Sequence, residues 1–181
     1  EIRFSFYSDE QRLVAAYRRN EIDGLAFPSA SQVEELKEAD ANLYELQFPK
    51  VFAVFMNPAV NQNLGRKAVR QALAMAINRQ ALIIDVVGGS GSVADSPLPP
   101  KSFGYQPATT TPYDPERAKN ILISDGWKAN GTSSDALLER TEGSGRNRKT
   151  TSLKVKLTTS DSPELVRTAE AIAGMWRAIS V

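Results

Sequence analysis

The clearest pattern in this chain is a run of apolar residues at helical spacing near its middle. Within residues 69–79 (VRQALAMAINR), apolar side chains recur at i, i+3, i+4, i+7 and i+8: Val69, Ala72, Leu73, Ala76 and Ile77. This spacing places them on one side of a helix, so the segment predicts a helix packed against a core. Asn78 can cap a second helix over residues 79–87, and Gly88 can end that helix.

Two short helices are predicted in the first quarter of the chain. Ser8 with Gln11, and Ser31 with Glu34, have the three-residue spacing of a capping box. In a capping box, the two side chains satisfy backbone N–H groups that the first helical turn leaves without partners. We therefore expect one helix to begin after Ser8 and another after Ser31.

Two later helices begin with a capping residue followed by proline. Asp114 precedes Pro115, and Gly126 lies just beyond the end of the apolar pattern that follows. Proline fits the first helical position because its missing N–H has no partner there in any case. Ser162 and Pro163 likewise predict a last helix, whose inward residues are Leu165, Ala169, Ile172, Met175 and Trp176. We expect Trp127 and Trp176 to lie in the core.

Four other segments are β-rich or alternate between apolar and polar residues, and each predicts a strand: residues 2–7, 43–48, 51–56 and 153–157. A turn and a further short strand are predicted within residues 21–27. Residues 129–151 are polar and rich in Gly and Ser, so we expect a mobile insertion or the tip of a hairpin. Strands that alternate with helices indicate an α/β architecture.

Composition excludes several classes of chemistry. The 181 residues contain neither Cys nor His, which rules out thiolate catalysis, Cys/His zinc sites and Ser-His-Asp triads within this chain. The net charge of +1 gives no global field that would attract nucleic acid. Arg146, Arg148 and Lys149 form a local basic cluster, for which we expect a solvated loop. The chain begins with Glu1 inside a strand-like run, so we expect a piece of a longer mature protein.

Two apparent chemical motifs have structural explanations. Residues 89–94 fit the dinucleotide pattern G-x-G-x-x-A, but Pro97 and Pro99 follow and prevent the helix that would meet a pyrophosphate. Neighbouring carboxylates occur in the first turns of predicted helices, where the helix dipole favours them: Asp9/Glu10, Glu34/Glu35 and Asp114/Glu116. We therefore expect neither a nucleotide site nor a catalytic carboxylate pair.

Basic residues crowd the start of the helix that carries Val69. Arg66, Lys67 and Arg70 lie where positive charge is unfavourable unless an acidic partner or a bound anion offsets it. For Arg70 we expect a structural role, in which its side chain donates hydrogen bonds to the backbone.

The order of motifs along the chain resembles a known family. The motifs occur in this sequence as EID (21–23), FMN (55–57), VRQAL (69–73), AINR (76–79), a Gly-rich loop ending in paired prolines (88–100), YDP (113–115) and GW (126–127). This order is similar to that of the extracellular solute-binding proteins, family 5, which serve peptide and nickel ABC importers. Asn78 stands where the family usually has Asp, and Asn also caps helices.

The resemblance implies a fold and a division of the chain. It implies an α/β, periplasmic-binding-protein-like lobe (type II, cluster C), as a fragment of a two-lobe protein. Residues 1–56 would form the end of the first lobe and the strands between lobes. Residues 57–181 would form the first half of the second lobe, with the polar insertion at 129–151.

The resemblance also implies a function and a partial site. It implies the binding component of an ABC importer that closes on a solute, with peptide as the expected class, and delivers it to a membrane permease. Ala53 and Phe55 resemble cleft-lining positions, with Phe52 and Asn57 as neighbours. The principal charged ligand contacts would lie downstream of Val181.

Further expectations accompany this hypothesis. No catalytic residue, metal or cofactor is expected, so the chain would not be an enzyme. A periplasmic or membrane-anchored extracellular location is expected, and the chain by itself should self-associate through uncovered apolar surface. The alternative class is a ligand-sensing module of a regulatory protein, and a DNA-binding region outside residues 1–181 would favour it.

Overall fold

A computed structural model describes residues 1–26, 28–44, 51–89, 91–99, 102–131 and 137–181 of the chain. The chain divides into two compact units, residues 1–48 and residues 49–181. Within the described ranges, none of the helices is both long and apolar enough to cross a bilayer.

The first unit contains two helices, α1 (Glu10–Arg18) and α2 (Ala30–Glu38). Helix α1 begins one residue later than predicted, because the Asp9 carboxylate accepts a hydrogen bond from the Arg12 N–H at 2.8 Å. A carboxylate at this position also faces the positive end of the helix dipole. The prediction that Ser8 caps this helix is therefore wrong.

The start of α2 also differs from the prediction. Its capping box joins Ser29 to Gln32, whose Oε1 accepts from the Ser29 N–H at 3.0 Å. Ser31 and Glu34, the predicted pair, lie within the helix. A capping box is formed, as predicted, but it begins two residues earlier. Ser29 and Ser31 are both suitable capping residues, and Ser29 takes the role. Leu36 is buried in this unit, together with Val14 and Ala16 of α1.

The second unit contains all four helices predicted for it: α3 (Lys67–Met75), α4 (Arg79–Val87), α5 (Pro115–Ser124) and α6 (Pro163–Arg177). The caps of α4 and α5 are those expected. Asn78 Oδ1 accepts from the Ala81 N–H at 3.0 Å, and Asp114 Oδ1 accepts from the Arg117 N–H at 2.8 Å. Gly88 ends α4 with a φ of 63°, a left-handed conformation that glycine adopts without strain.

The strands of the second unit form one antiparallel sheet in the order β1 (Lys128–Ala129), β2 (Leu138–Glu142) and β3 (Lys149–Ser152). In the register of β2 and β3, Thr141 lies opposite Thr150, and their hydroxyl oxygens are 2.9 Å apart. This arrangement confirms the hairpin predicted as one alternative for residues 129–151. Residues 132–136 lie outside the described ranges.

The core of the second unit joins the four helices to the sheet. Helix α3 packs on α5, and α4 packs on α6. Trp127 and Trp176 are buried, as predicted. Trp176 Nε1 donates to the carbonyl oxygen of Leu73 at 3.0 Å. That carbonyl lies in the last turn of α3, where the helix itself supplies no N–H partner, so the indole satisfies it.

The strands predicted at residues 2–7, 51–56 and 153–157 are not formed. Residues 24–26 and 43–44 are also outside any strand, and the rest of those predictions falls on residues 27 and 45–48, which lie outside the described ranges. A strand is stabilised by hydrogen bonds to a neighbour, and among the described residues no strand pairs with residues 2–7 or 51–56. At the start of residues 153–157, the Leu153 N–H still donates to the Leu138 carbonyl of β2 at 2.7 Å. Alternating burial nevertheless persists at residues 153–157, where Leu153, Val155 and Leu157 pack on the core.

Candidate functional site

The segment predicted to line a ligand cleft, residues 51–57, has two unlike sides. Val54 and Met56 are partly buried and pack against the core of the second unit. Ala53, Phe55 and Asn57 are exposed, and the Phe55 side chain is 91% exposed. We call these three residues the 53–57 face. The backbone of this face is anchored, because the alternate residues Val54 and Met56 pack against the core.

Phe52 is separated from the other predicted site residues. It is spaced by two residues from Val54, which packs on the core, and its side chain is 46% exposed. All four predicted residues are thus exposed, and Phe52 differs from the other three only in having the spacing of Val54 and Met56, which pack on the core. Sequence reasoning treated Phe52 and Asn57 as equivalent neighbours, but their surroundings differ.

A turn at Asn57 ends this segment. Asn57 Oδ1 accepts from the Ala59 N–H at 2.9 Å, and the Asn57 carbonyl accepts from the Asn61 N–H at 3.2 Å. The side-chain oxygen of Asn57 is therefore engaged in shaping the turn, as asparagine side chains commonly are.

The turn is tied to the residues that follow β3. Asn61 Nδ2 donates to the carbonyl oxygen of Lys154 at 2.9 Å, and Asn63 Nδ2 donates to that of Ser152 at 3.2 Å. Ser152 is the last residue of β3 and Lys154 lies just beyond it. As a result, the turn that ends the 51–57 segment is fixed to the hairpin region of the same unit.

Two of the three cations at the start of α3, Arg66 and Arg70, have protein partners. Arg66 Nε and Nη2 donate to the two carboxylate oxygens of Asp125 at 2.6 and 2.8 Å. Arg66 Nη1 lies 3.4 Å from Glu142, which also pairs with Arg140. An acidic partner therefore offsets the charge of Arg66. Arg70 Nη1 donates to the carbonyl oxygens of Leu64 and Gly65, both at 2.8 Å, which confirms its structural role.

The Arg66–Asp125 pair changes the proton affinity of both groups. The hydrogen bond from Arg66 holds the pKa of Asp125 below its ordinary value of 3.8, against the opposing effect of burial. The same hydrogen bond raises the pKa of Arg66. Trp127 Nε1 also donates to Asp125, at 3.2 Å. A carboxylate held ionised by these partners cannot serve as a general acid near neutral pH.

An aromatic side chain makes a hydrogen bond within the long loop between α4 and α5. The Tyr105 hydroxyl donates to the Asp95 carboxylate, with its oxygen 3.0 and 2.9 Å from the two carboxylate oxygens. This hydrogen bond raises the pKa of Tyr105. Sequence reasoning missed the pair, because two residues ten positions apart in an irregular loop carry no periodic signal. Phe103, between them, is fully exposed.

Surface depressions among the described residues lie away from the 51–57 segment. One lies in the second unit beside α3 and α5, where Ala68, Ile121 and Asp125 contribute to its lining. Another lies in the first unit, lined in part by Tyr17 and Ile22. Neither contains a member of the 53–57 face. Among the described residues, no group of three or more Asp and Glu side chains is arranged to hold a metal ion.

A comparison with protein-family models defines the class of this chain. The model for bacterial extracellular solute-binding proteins, family 5 Middle, matches residues 1–181. The chain therefore belongs to the family 5 solute-binding proteins.

Relatives and solved structures agree with this assignment. The dipeptide-binding protein of Escherichia coli is 30% identical over 125 residues, which are 68% of this chain and 23% of that protein. The oligopeptide-binding protein AppA of Bacillus subtilis is 35% identical over 83 residues, or 44% of this chain and 15% of AppA. These sequence alignments cover about a quarter or less of the length of the relatives.

The structural matches extend over almost the whole chain. The structure of AppA with a nonapeptide aligns with a TM-score of 0.61 and 20% identity, covering 96% of this chain and 33% of AppA. NikA from Brucella suis, in complex with Fe(III)-EDTA, aligns with a TM-score of 0.72 and 19% identity, covering 97% of this chain and 34% of NikA. These matches show the expected fold class, a mixed α/β part of a type II periplasmic-binding protein.

Proposed function

We propose that this chain is part of the substrate-binding component of an ABC importer, with peptides as its solute class. The observation that carries the proposal is the match of the whole chain to the family 5 model, together with 30% identity to a dipeptide-binding protein. The relatives reported above are named as binding proteins, which supports transport over the regulatory alternative.

The proposed mechanism is closure of two lobes on the solute, followed by delivery to a permease in the membrane. In this proposal, residues 1–56 contribute the end of the first lobe and the segment that connects the lobes, and residues 57–181 contribute the first half of the second lobe. No covalent bond is made or broken, so the protein is not an enzyme. The ionised and paired state of Asp125 is consistent with a role in stability, not in acid–base chemistry.

The 53–57 face is the proposed contact with the solute in this part of the protein. Phe55 offers a large apolar surface for a peptide side chain, and Ala53 leaves room for a backbone to approach. The amide nitrogen of Asn57 can donate to a peptide carbonyl, since its oxygen is already engaged by the Ala59 N–H. Small numbers of polar groups on an apolar surface are typical of ligand sites.

The proposed location follows from the family. A protein that captures solutes for import works outside the cytoplasmic membrane, so we expect the periplasm or the outer face of the membrane, with a membrane anchor where no periplasm exists. Its proposed macromolecular partner is the permease of the importer. Nucleic acid is not an expected partner, because the net charge of the chain is only +1.

A thermal-shift screen of the full-length protein tests the proposed function. Dipeptides and oligopeptides should raise the melting temperature, because a ligand that binds only the folded state stabilises it by mass action. The screen should also contain nickel salts and sugars as other solute classes. If nickel or a sugar raises the melting temperature and peptides do not, peptide is not the solute class. If no solute in the screen raises the melting temperature, the transport function is contradicted.

A further inference from the structure

The hairpin between β2 and β3 presents a basic surface. Its tip is a short 3₁₀ helix (Gly145–Asn147), and the exposed side chains of Arg146, Arg148 and Lys149 lie in or directly after it. We call these three residues the basic tip. Within the described residues, none of the three has an ion-pair partner. The expectation of a solvated loop is met, but the local charge remains unbalanced.

The excess of positive charge extends along the sequence. From residue 143 to residue 160 there are five Lys or Arg residues and no Asp or Glu, in a chain whose net charge is only +1. The remaining two of the five, Lys154 and Lys156, are also exposed. The nearest acidic residue on β2 is Glu142, which lies opposite Lys149 in the register and whose carboxylate also pairs with Arg66 and Arg140. Among the described residues, Arg146 and Arg148 have no acidic residue opposite them in this register.

The basic tip has a defined backbone conformation. Gly143 has a φ of 79°, and a Cβ added there would lie 2.3 Å from the carbonyl oxygen of Asn147. Only glycine allows the chain to close so tightly at this point. The Asn147 N–H donates to the Ser144 carbonyl at 3.2 Å, and the paired hydroxyls of Thr141 and Thr150 hold the base of the hairpin. The cations are thus presented from a closed turn.

We propose that the basic tip binds the anionic headgroups of a phospholipid bilayer. Clustered Lys and Arg residues are attracted to anionic lipid surfaces, and Arg pairs well with phosphate. Residues 143–152 contain no aromatic or aliphatic side chain apart from Thr methyl groups. Specific protein interfaces usually bury an aromatic or aliphatic anchor, so this composition favours a diffuse anionic surface over an acidic protein. The proposal does not depend on which solute is bound.

Vesicle co-sedimentation tests this proposal on the 181-residue chain. The lipids are phosphatidylcholine with about 30% phosphatidylglycerol, compared with phosphatidylcholine alone, at low salt and at about 0.15 M salt. The test variant is Arg146→Ser/Arg148→Ser/Lys149→Ser. The charge-matched control is Arg117→Ser/Arg167→Ser/Arg177→Ser, which removes three exposed cations from helices. Circular dichroism and urea midpoints confirm that both variants are folded.

The expected result is binding to the anionic vesicles only, weakened by salt. At about fivefold per charge, the tip variant should bind on the order of a hundredfold more weakly, whereas the control variant should lose much less. Equal losses in both variants would overturn the proposal, because they would reflect net charge alone. Absence of binding to anionic vesicles would also overturn it. A last arm uses neutral vesicles that contain the permease. If the wild type binds only when the permease is present, and the tip variant does not bind, the surface belongs to a protein partner instead.

Discussion

The guanidinium of Arg66 and the carboxylate of Asp125 form a two-point ion pair, with distances of 2.6 Å from Nε and 2.8 Å from Nη2, across 59 residues of sequence. Arg66 precedes α3, where a positive charge opposes the helix dipole, and Asp125 follows α5, where a negative charge does the same. Each charge offsets the unfavourable position of the other. The pair therefore joins the start of α3 to the end of α5.

Replacing Arg66 should destabilise the second unit measurably. The side chains of Arg66 and Asp125 are only 33% and 20% exposed, so Arg66→Met leaves a poorly hydrated carboxylate without its partner. We expect a loss of about 2 kcal/mol of unfolding free energy, since hydrogen bonds to charged groups contribute about 1.5–3 kcal/mol. Urea unfolding followed by the fluorescence of Trp127 and Trp176 measures it, because both tryptophans lie in this unit's core.

A matched control is the exposed pair Lys119–Glu116 on α5. Lys119→Met should change the unfolding free energy by at most about 0.5 kcal/mol, because exposed pairs contribute little. If Arg66→Met and Lys119→Met lower the free energy of unfolding by similar amounts, the Arg66–Asp125 pair stabilises the fold no more than an exposed pair does.

The same pair predicts a pH dependence of stability. The pKa of folded Asp125 is lower than its ordinary value of 3.8, so the carboxylate stabilises the fold when ionised. Its contribution is fully present above the unfolded pKa and is lost as the pH falls through the folded pKa. The stability difference between the wild type and Asp125→Asn should therefore shrink as the pH is lowered below about 4. A difference that stays constant down to the acid transition would contradict this assignment.

Asn78 should act as a helix cap that aspartate can replace. Its Oδ1 accepts from the Ala81 N–H at the start of α4. Asn78→Ala should cost about 1 kcal/mol, and Asn78→Asp should be neutral or slightly stabilising, because a carboxylate caps equally well and suits the dipole. Thermal and urea unfolding of both variants give the comparison. If the aspartate variant is as unstable as the alanine variant, Asn78 acts through its side-chain nitrogen and not through Oδ1.

The chain by itself is still predicted to self-associate. Ile2, Phe4 and Phe6 are almost fully exposed along one segment of the first unit. Clustered apolar side chains of this kind promote association. Light scattering should show larger species for the wild type and fewer for Ile2→Ser/Phe4→Ser/Phe6→Ser.

The control for this experiment is a variant in which three exposed apolar residues are replaced at separate places in the chain. Val60→Ser/Phe103→Ser/Ile123→Ser removes exposed apolar side chains that do not follow one another along one segment. It should leave association unchanged. A wild-type chain that remains monomeric at high concentration would show the prediction to be wrong.

Local chemistry made the helices predictable from the sequence. Capping residues and apolar spacing act within one or two turns, so α3 to α6 and the caps Asn78 and Asp114 followed from neighbouring residues. The starts of α1 and α2 were misplaced by one or two residues because adjacent side chains compete for the same cap. The hairpin was predicted as one of two alternatives.

Pairing between distant segments was not predictable in the same way. The β-rich composition of residues 51–56 predicted a strand, but composition cannot supply the neighbouring strand that would pair with it, and none forms there. The position of Arg66 predicted either an acidic partner or a bound anion, and the structure shows an acidic partner. The identity of Asp125 as that partner depends on how α3 packs on α5, which only the structure shows.

The most direct test of the proposed function is calorimetry of peptide binding to the full-length protein, with Phe55→Ala compared with Phe103→Ala. Both side chains are almost fully exposed, so neither change should unfold the chain, and only Phe55 belongs to the 53–57 face. We predict that peptide binds to the wild type and to Phe103→Ala alike, and that Phe55→Ala binds at least about tenfold more weakly, a cost of about 1.4 kcal/mol. Failure of the wild type to bind any peptide, or equal affinity in all three proteins, would contradict the proposed solute or the proposed face, respectively.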